Sequence, residues 1–136
     1  VAEELRCKYY YANVPNRAEQ VKQWLSSSGL IVATSALRTG VDYPRVVYIP
    51  HVGMLWSMID FAQESGRGGR AREEVNLVIV VERRSIEQEM LKHSDNLCVQ
   101  AVGLFLTGRG CRRALMSMYI DGKAVACNNI KSAGCD

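Results

Sequence analysis

Short apolar runs alternate with helical stretches through the first half of the chain, and this alternation sets the fold class. Leu30-Ile31-Val32-Ala33-Thr34, Arg45-Val46-Val47-Tyr48-Ile49 and Asn76-Leu77-Val78-Ile79-Val80-Val81-Glu82 are rich in β-branched residues and read as strands. An earlier β-rich run at residues 5–12 reads as another, with Cys7 in its core. The continuous apolar character of residues 30–34 predicts a strand buried on both faces of a parallel sheet. Pro50 predicts the end or an irregular edge of the strand before it. Between the runs lie helical patterns. One starts at Asn16-Arg17-Ala18-Glu19 and sets Ala18, Val21 and Leu25 on one face. Another covers residues 56–64, with Trp56, Ile59, Ala62 and Gln63 near one face. The first ~82 residues therefore read as an α/β layer with a mostly parallel sheet.

The pattern changes near residues 82–85. Ser85-x-x-Gln88 predicts a helix start, residues 97–106 a helix that includes Gly103, and residues 111–120 a helix ended by Asp121-Gly122. The 136 residues suit about one domain, and a net charge of +3 permits a nucleic-acid partner without demanding one. No apolar run approaches the ~20 residues needed to span a bilayer, and no membrane role or secretory signal is expected. Val1 in place of Met points to a fragment or a processed chain. Five cysteines without a secretion signal fit a reducing compartment, with thiols or a metal.

One stretch carries unusual chemistry. Gln63-Glu64-Ser65-Gly66-Arg67-Gly68-Gly69-Arg70 sets two arginines among three glycines at a helix end. Glycine there costs helix stability, so its use is a sharp turn and a close approach. The arginine fork matches phosphate geometry. The turn reads as a phosphate-facing loop or as a solvated basic surface turn. Upstream, Ala33-Thr34-Ser35-Ala36-Leu37-Arg38-Thr39-Gly40-Val41-Asp42 leaves a strand end, where ligands gather in parallel sheets. It also reads as an ordinary turn built from Ser and Thr. His51 follows the run ending at Ile49 and is either a hydrogen-bonded structural residue or a catalytic one.

Taken in order, Ala-Thr-x-Ala-x-x-x-Gly-Val-Asp-x-Pro, about twenty residues, then Gln-Glu-Ser-Gly-Arg-x-Gly-Arg resembles motifs V and VI of superfamily 2 helicases, most closely the RecQ family. The resemblance implies an α/β fold: an incomplete RecA-like sheet of the P-loop NTPase type with flanking helices, then a small helical, cysteine-containing tail. Residues 1–84 would be the second RecA-like lobe without its first strand and helix. Residues 85–136 would be a tail similar to a truncated RecQ zinc-binding subdomain. In this family ATP lies between two lobes, and positioned charge does most of the catalytic work. By resemblance Arg70 is the arginine finger and Arg67 its partner on the phosphates. Gln63 would bond near the nucleotide, and Gly40 and Asp42 would couple nucleotide to DNA. Thr34, with Ser35 and Arg38, would face a DNA backbone phosphate, a contact that sets register without reading sequence.

Two positions depart from the family pattern. Arg38 stands where motif V usually has glycine, and either crowds the DNA backbone or adds a phosphate contact. Arg72 replaces a glycine or acidic residue at a tolerant surface position. Fifteen residues separate Cys111 from Cys127 and seven separate Cys127 from Cys135, with no Cys-x-x-Cys. Through the resemblance, Cys111-Arg112-Arg113 and these cysteines imply three ligands of a truncated zinc site, the fourth lying beyond Asp136. Cys98 could stand in as a ligand, but its place in an apolar helix favours burial.

The chain holds no Gly-x-x-x-x-Gly-Lys-Ser/Thr, since Gly122-Lys123 is followed by Ala124, and no strand ends in Asp-Glu. Those parts belong to the first lobe, so this chain alone is expected neither to bind ATP tightly nor to hydrolyse it. The expected function is the carboxyl-terminal part of a nuclear, ATP- and Mg²⁺-dependent 3′-5′ DNA helicase of repair or recombination. Its partners would be single-stranded or branched DNA and the first RecA-like lobe. The alternative is a non-enzymatic remnant that binds nucleic acid or a protein. A dinucleotide fingerprint is disfavoured, because the glycine turn follows a helix rather than a strand.

Overall fold

The computed structural model describes residues 1–27, 29–38 and 45–135, with Arg38 by its backbone alone. Its elements run β1 (Lys8–Tyr10), α1 (Arg17–Ser27), β2 (Ile31–Ala33), a 3₁₀ turn (Ser35–Arg38), β3 (Tyr48–Val52), α2 (Met58–Ser65) and β4 (Asn76–Val80). They continue as α3 (Arg83–Lys92), α4 (Leu97–Thr107), α5 (Arg112–Asp121) and a second 3₁₀ turn (Cys127–Ile130). Strands β1 and β2 pair in parallel, as do β3 and β4. Each pair encloses a helix, as parallel pairing requires a crossover. Among the described residues the strands form two two-stranded sheets rather than one continuous layer.

The first unit packs Tyr10, Val14 and Val21 into one core, joined by Trp24, Ile31, Ala36, Leu37 and Val46. The buried stripe of α1 is Val21 with Trp24, whereas Ala18 and Leu25 face solvent, which corrects the expected face. Arg17 donates from Nε and Nη2 to the Tyr10 hydroxyl at 3.1 Å, tying the start of α1 to β1. Strand β2 is half-buried at Ile31 and Val32 and exposed at Ala33, so the expectation of burial on both faces fails. A two-stranded sheet with one enclosed helix has too few layers to cover it. Strand β1 is three residues long, because residues 1–7 coil into turns closed by Leu5 N–H to the Val1 carbonyl and Cys7 N–H to the Ala2 carbonyl. Cys7 is accordingly half-buried outside the strand, and not core.

The second unit centres on Leu55, Met58, Phe61, Val102 and Phe105, with Ile79 and Met116 packed against them. The Phe61 and Phe105 rings lie 5.5 Å apart, joining α2 to α4. This core crosses the change of pattern at residues 82–85, so the helical region is packed on the second sheet and its helix. Burying each of these side chains stabilises by roughly 1.5–3 kcal/mol. Strand β3 runs through Pro50, which pairs opposite Val78, to Val52. Pro50 is tolerated because, among the described residues, β3 pairs only with β4 and proline's missing N–H falls on the other side. Trp56 lies outside α2 and is 77% exposed; the helix instead begins at Met58 behind an N-cap serine.

In the helical region α3 begins at Arg83, two residues before the expected Ser85 start. Helix α4 runs through Gly103 as expected. An added Cβ would meet the Met90 side chain, so the glycine lets α3 approach α4 closely. Cys98 is exposed on the first turn of α4, contrary to expectation, and receives a hydrogen bond from the Tyr119 hydroxyl at 3.7 Å. The end of α4 is closed by Arg112, whose Nη1 donates to the Phe105 carbonyl, while its guanidinium lies 5.8 Å from that ring's centre. No described helix is long and apolar enough to cross a membrane.

Candidate functional site

Helix α2 aims the arginine turn, and its boundaries are set locally. The Ser57 hydroxyl accepts from the Asp60 N–H at 3.0 Å and donates to the Asp60 carboxylate at 2.9 Å, satisfying an otherwise orphaned helix-start donor. At the other end Gly66 N–H bonds the Ala62 carbonyl at 2.9 Å and Gly68 N–H bonds the Ser65 carbonyl at 3.2 Å. The chain then turns back on the lead-in to β3, where Gly69 N–H meets the Val46 carbonyl at 3.1 Å.

The glycines permit a close approach, but what approaches is the chain itself. A Cβ on Gly68 would sit 2.7 Å from Val75 Cγ1 and 3.1 Å from the Val46 carbonyl oxygen. Gly69 has φ of +71° and would place a Cβ 3.0 Å from the Glu73 carbonyl oxygen. These contacts hold the turn between the lead-in to β3 and the lead-in to β4. Arg67 is half-buried, whereas Gln63 and Arg70 are exposed. Arg72 adopts φ of 69°, the left-handed region that glycine occupies without strain.

His51 lies within β3, not after it. Its ring is 9% exposed and touches three residues of α2. Nδ1 is 3.4 Å from Glu64 Oε2, Nε2 is 3.4 Å from the buried Ser65 Oγ, and the Phe61 ring meets it edge-on at 4.9 Å. Burial lowers its pKa below 6.5, and the Glu64 carboxylate opposes that shift without reversing it. The imidazole is therefore neutral at pH 7.

The upstream loop is described in part. Thr34 N–H bonds the Tyr10 carbonyl at 3.0 Å, extending the β1–β2 ladder. Its hydroxyl accepts from Ala36 N–H at 3.4 Å, and its carbonyl accepts from Leu37 N–H, so Thr34 also starts the 3₁₀ turn. Thr34 and Ser35 are exposed. This 3₁₀ turn lies close to α2. Gly40, Asp42 and the Arg38 side chain lie outside the described residues.

The three expected ligand cysteines converge. Cys111 and Cys127 lie 3.6 Å apart, Cys111 and Cys135 3.4 Å, and Cys127 and Cys135 3.6 Å, sulfur to sulfur. Thiolates bound to one zinc ion at ~2.3 Å in a tetrahedron stand about 3.8 Å apart, so the triad fits that ion. Cys111 precedes α5, Gly122 in the left-handed region ends it, and Ser117 Oγ accepts from Val125 N–H at 2.8 Å as the chain returns. That return brings Cys127 and Cys135 to the positive end of α5. The Cys127 N–H donates to the Cys111 sulfur at 3.4 Å, and with the Ala114 N–H it pulls the Cys111 thiol down to about 6. Arg113 lowers the Cys127 thiol, but burial and the bonds to Cys135 and Cys111 outweigh it and leave that thiol raised. An open cavity of about 240 Å³ lined by Arg109, Asn128 and the three cysteines adjoins them. Among the described residues no fourth Cys, His, Asp or Glu joins the group.

Residues 2–72 match the family model of the helicase conserved C-terminal domain. The chain belongs to that family, on its RecQ-like branch. Its relatives include mouse ATP-dependent DNA helicase Q5, 28% identical over 97% of the chain, and rat ATP-dependent DNA helicase Q1, 28% identical over 93%. Putative ATP-dependent DNA helicase Q1 of Caenorhabditis briggsae is 36% identical over 51%. The chain spans 15%, 22% and 12% of the length of these proteins. Membership makes the layer RecA-like α/β, and the paired parallel strands around α1 and α2 are its local expression.

Proposed function

We propose that this RecQ-like helicase region is the arginine-bearing half of an ATP-dependent 3′-5′ DNA helicase motor, serving DNA repair or recombination in a nucleus. The observation that most supports the reading is the pre-formed turn after α2, which holds Arg67 half-buried and Arg70 exposed on a backbone packed against Val46 and Val75. Phosphoryl transfer asks chiefly for positioned charge. In this reading Arg70 meets the γ-phosphate of ATP on the opposing first lobe, and Arg67 supports it on the phosphates. Gln63 bonds near the nucleotide, and Gly40 and Asp42 relay its state to DNA. Thr34, Ser35 and Arg38 hold backbone phosphates without reading bases. Mg²⁺ would come with ATP on the first lobe.

Cys111, Cys127 and Cys135 would hold zinc, which contributes folding energy to the last turns rather than chemistry. The 136 residues contain neither a Walker A lysine nor an Asp-Glu pair, so by themselves they are expected not to hydrolyse ATP.

The test is Arg70→Ala in a protein that joins this region to a matching first lobe. DNA-stimulated ATP hydrolysis should fall by about 10³–10⁵. An unchanged rate would sink the motor reading and favour a non-enzymatic nucleic-acid- or protein-binding remnant.

A further inference from the structure

The His51, Glu64 and Ser65 side chains form a bridge from β3 to the final turn of α2. Neutral imidazole has one donor and one acceptor nitrogen. The arrangement satisfies both when Nδ1–H donates to the Glu64 carboxylate and Nε2 accepts from the Ser65 hydroxyl, each at 3.4 Å. A serine, a histidine and an acid in this order also suggest a hydrolytic triad. Burial argues against it: Ser65 is 9% exposed and lies on the packed side of α2, out of reach of a substrate.

What the bridge touches is more informative. Glu64 and Ser65 are the two residues before Gly66, and their carbonyls accept the Arg67 and Gly68 N–H groups. A bond to either side chain therefore holds the residues whose carbonyls receive the Arg67 and Gly68 N–H groups, at the start of the turn. The strand end of the bridge is rigid, because His51 pairs opposite Ile79 in the β3–β4 ladder and its ring abuts Phe61.

We propose that His51 is the positioning residue for Arg67 and Arg70, locking the last turn of α2 to β3 through Glu64 and Ser65. That role deepens the motor reading and rests on it for its functional meaning. The mechanical part stands apart and can be read on this chain without ATP or DNA.

The experiment is amide hydrogen exchange on the full chain, comparing Gly68 and Gly69 in the turn with Ile79 and Phe105 in the core. His51→Phe keeps the ring contact with Phe61 and removes both polar bonds. Glu64→Ala removes the acceptor while raising helix propensity, so helix stability alone predicts equal or better protection. Glu64→Gln keeps an acceptor and serves as the rescue. Exchange at Gly68 and Gly69 should rise about tenfold in His51→Phe and Glu64→Ala, stay near wild type in Glu64→Gln, and leave the core amides unchanged. Unchanged turn exchange in the first two variants overturns the proposal, as does uniform loss of protection across the chain, which would make His51 a packing residue only. If the turn loosens in these variants but ATP hydrolysis by the two-lobed protein does not fall, the motor reading fails and the coupling survives.

Discussion

The arginine turn and the thiol triad are both small polar clusters, built by opposite routes. The turn is continuous in sequence: residues 63–70 carry its charges and its glycines, and local hydrogen bonds close most of it. The triad is assembled across 24 residues, from a helix start, a 3₁₀ turn and a loop that returns only because Gly122 reverses the chain. The first site has its scaffold before any ligand arrives, since Val46 and Val75 grip its backbone. The second has its ligands gathered but draws few apolar contacts: Cys127 is buried, Cys111 is half-buried and Cys135 is exposed. A site held by packing should resist loss of its ligand, and a site held by donors should not.

The widest contrast comes from charge against scaffold. Arg70→Ala in the two-lobed protein should cost roughly 4–7 kcal/mol in the barrier of ATP hydrolysis, from a 10³–10⁵-fold lower kcat, with the fold intact by circular dichroism. For the triad, Cys127→Ser should lower zinc affinity by more than the ~10–100-fold typical of losing a supporting hydrogen bond, because it removes a thiolate. Zinc stoichiometry after dialysis and proteolysis of residues 122–135 report it. Retained metal would break the comparison, as would a proteolysis pattern indifferent to chelator.

The packing claim has its own test. Gly68→Ala should destabilise by about 1–3 kcal/mol in urea, through overpacking against Val75 and the Val46 carbonyl. Adding Val75→Ala should recover part of that loss, and a simple sum of the two effects would contradict direct contact. Gly103→Ala should cost less, since the Met90 side chain it meets is flexible.

The smallest effect is electrostatic. The His51 pKa lies below 6.5 in the folded chain, so as pH falls through about 6.5 the unfolded state takes up a proton first. The His51 contribution to stability should therefore be flat above that point and decline below it until the folded imidazole also charges. His51→Phe should flatten that part of the urea-midpoint profile. A profile unchanged by the substitution would remove the burial argument.

Much of the second unit was legible along the chain. The β-branched run at β4, the α4 helix and the end of α5 at Gly122 fall within a residue or two of expectation, because long periodic segments and caps are local signals. Errors arose where a neighbour decided. Cys98 is exposed because α4 turns Val99 and Val102 inward instead, and Cys7 lies outside β1 because residues 1–7 close into turns. The His51 bridge lay out of reach of spacing arguments, with partners thirteen and fourteen residues away on another element.

Sequence by itself determined the helicase resemblance, the parallel α/β pairing and the identity of the three thiols, since each depends on residue type and order. Tertiary structure alone decided that the glycines of the arginine turn accommodate Val75 and the chain's own carbonyls, that His51 bridges strand to helix, and that the three sulfurs close to within 3.6 Å. The reason is one of range: propensity and pattern act over a few neighbouring residues, whereas steric exclusion and donor convergence act between surfaces that meet only when the chain has folded.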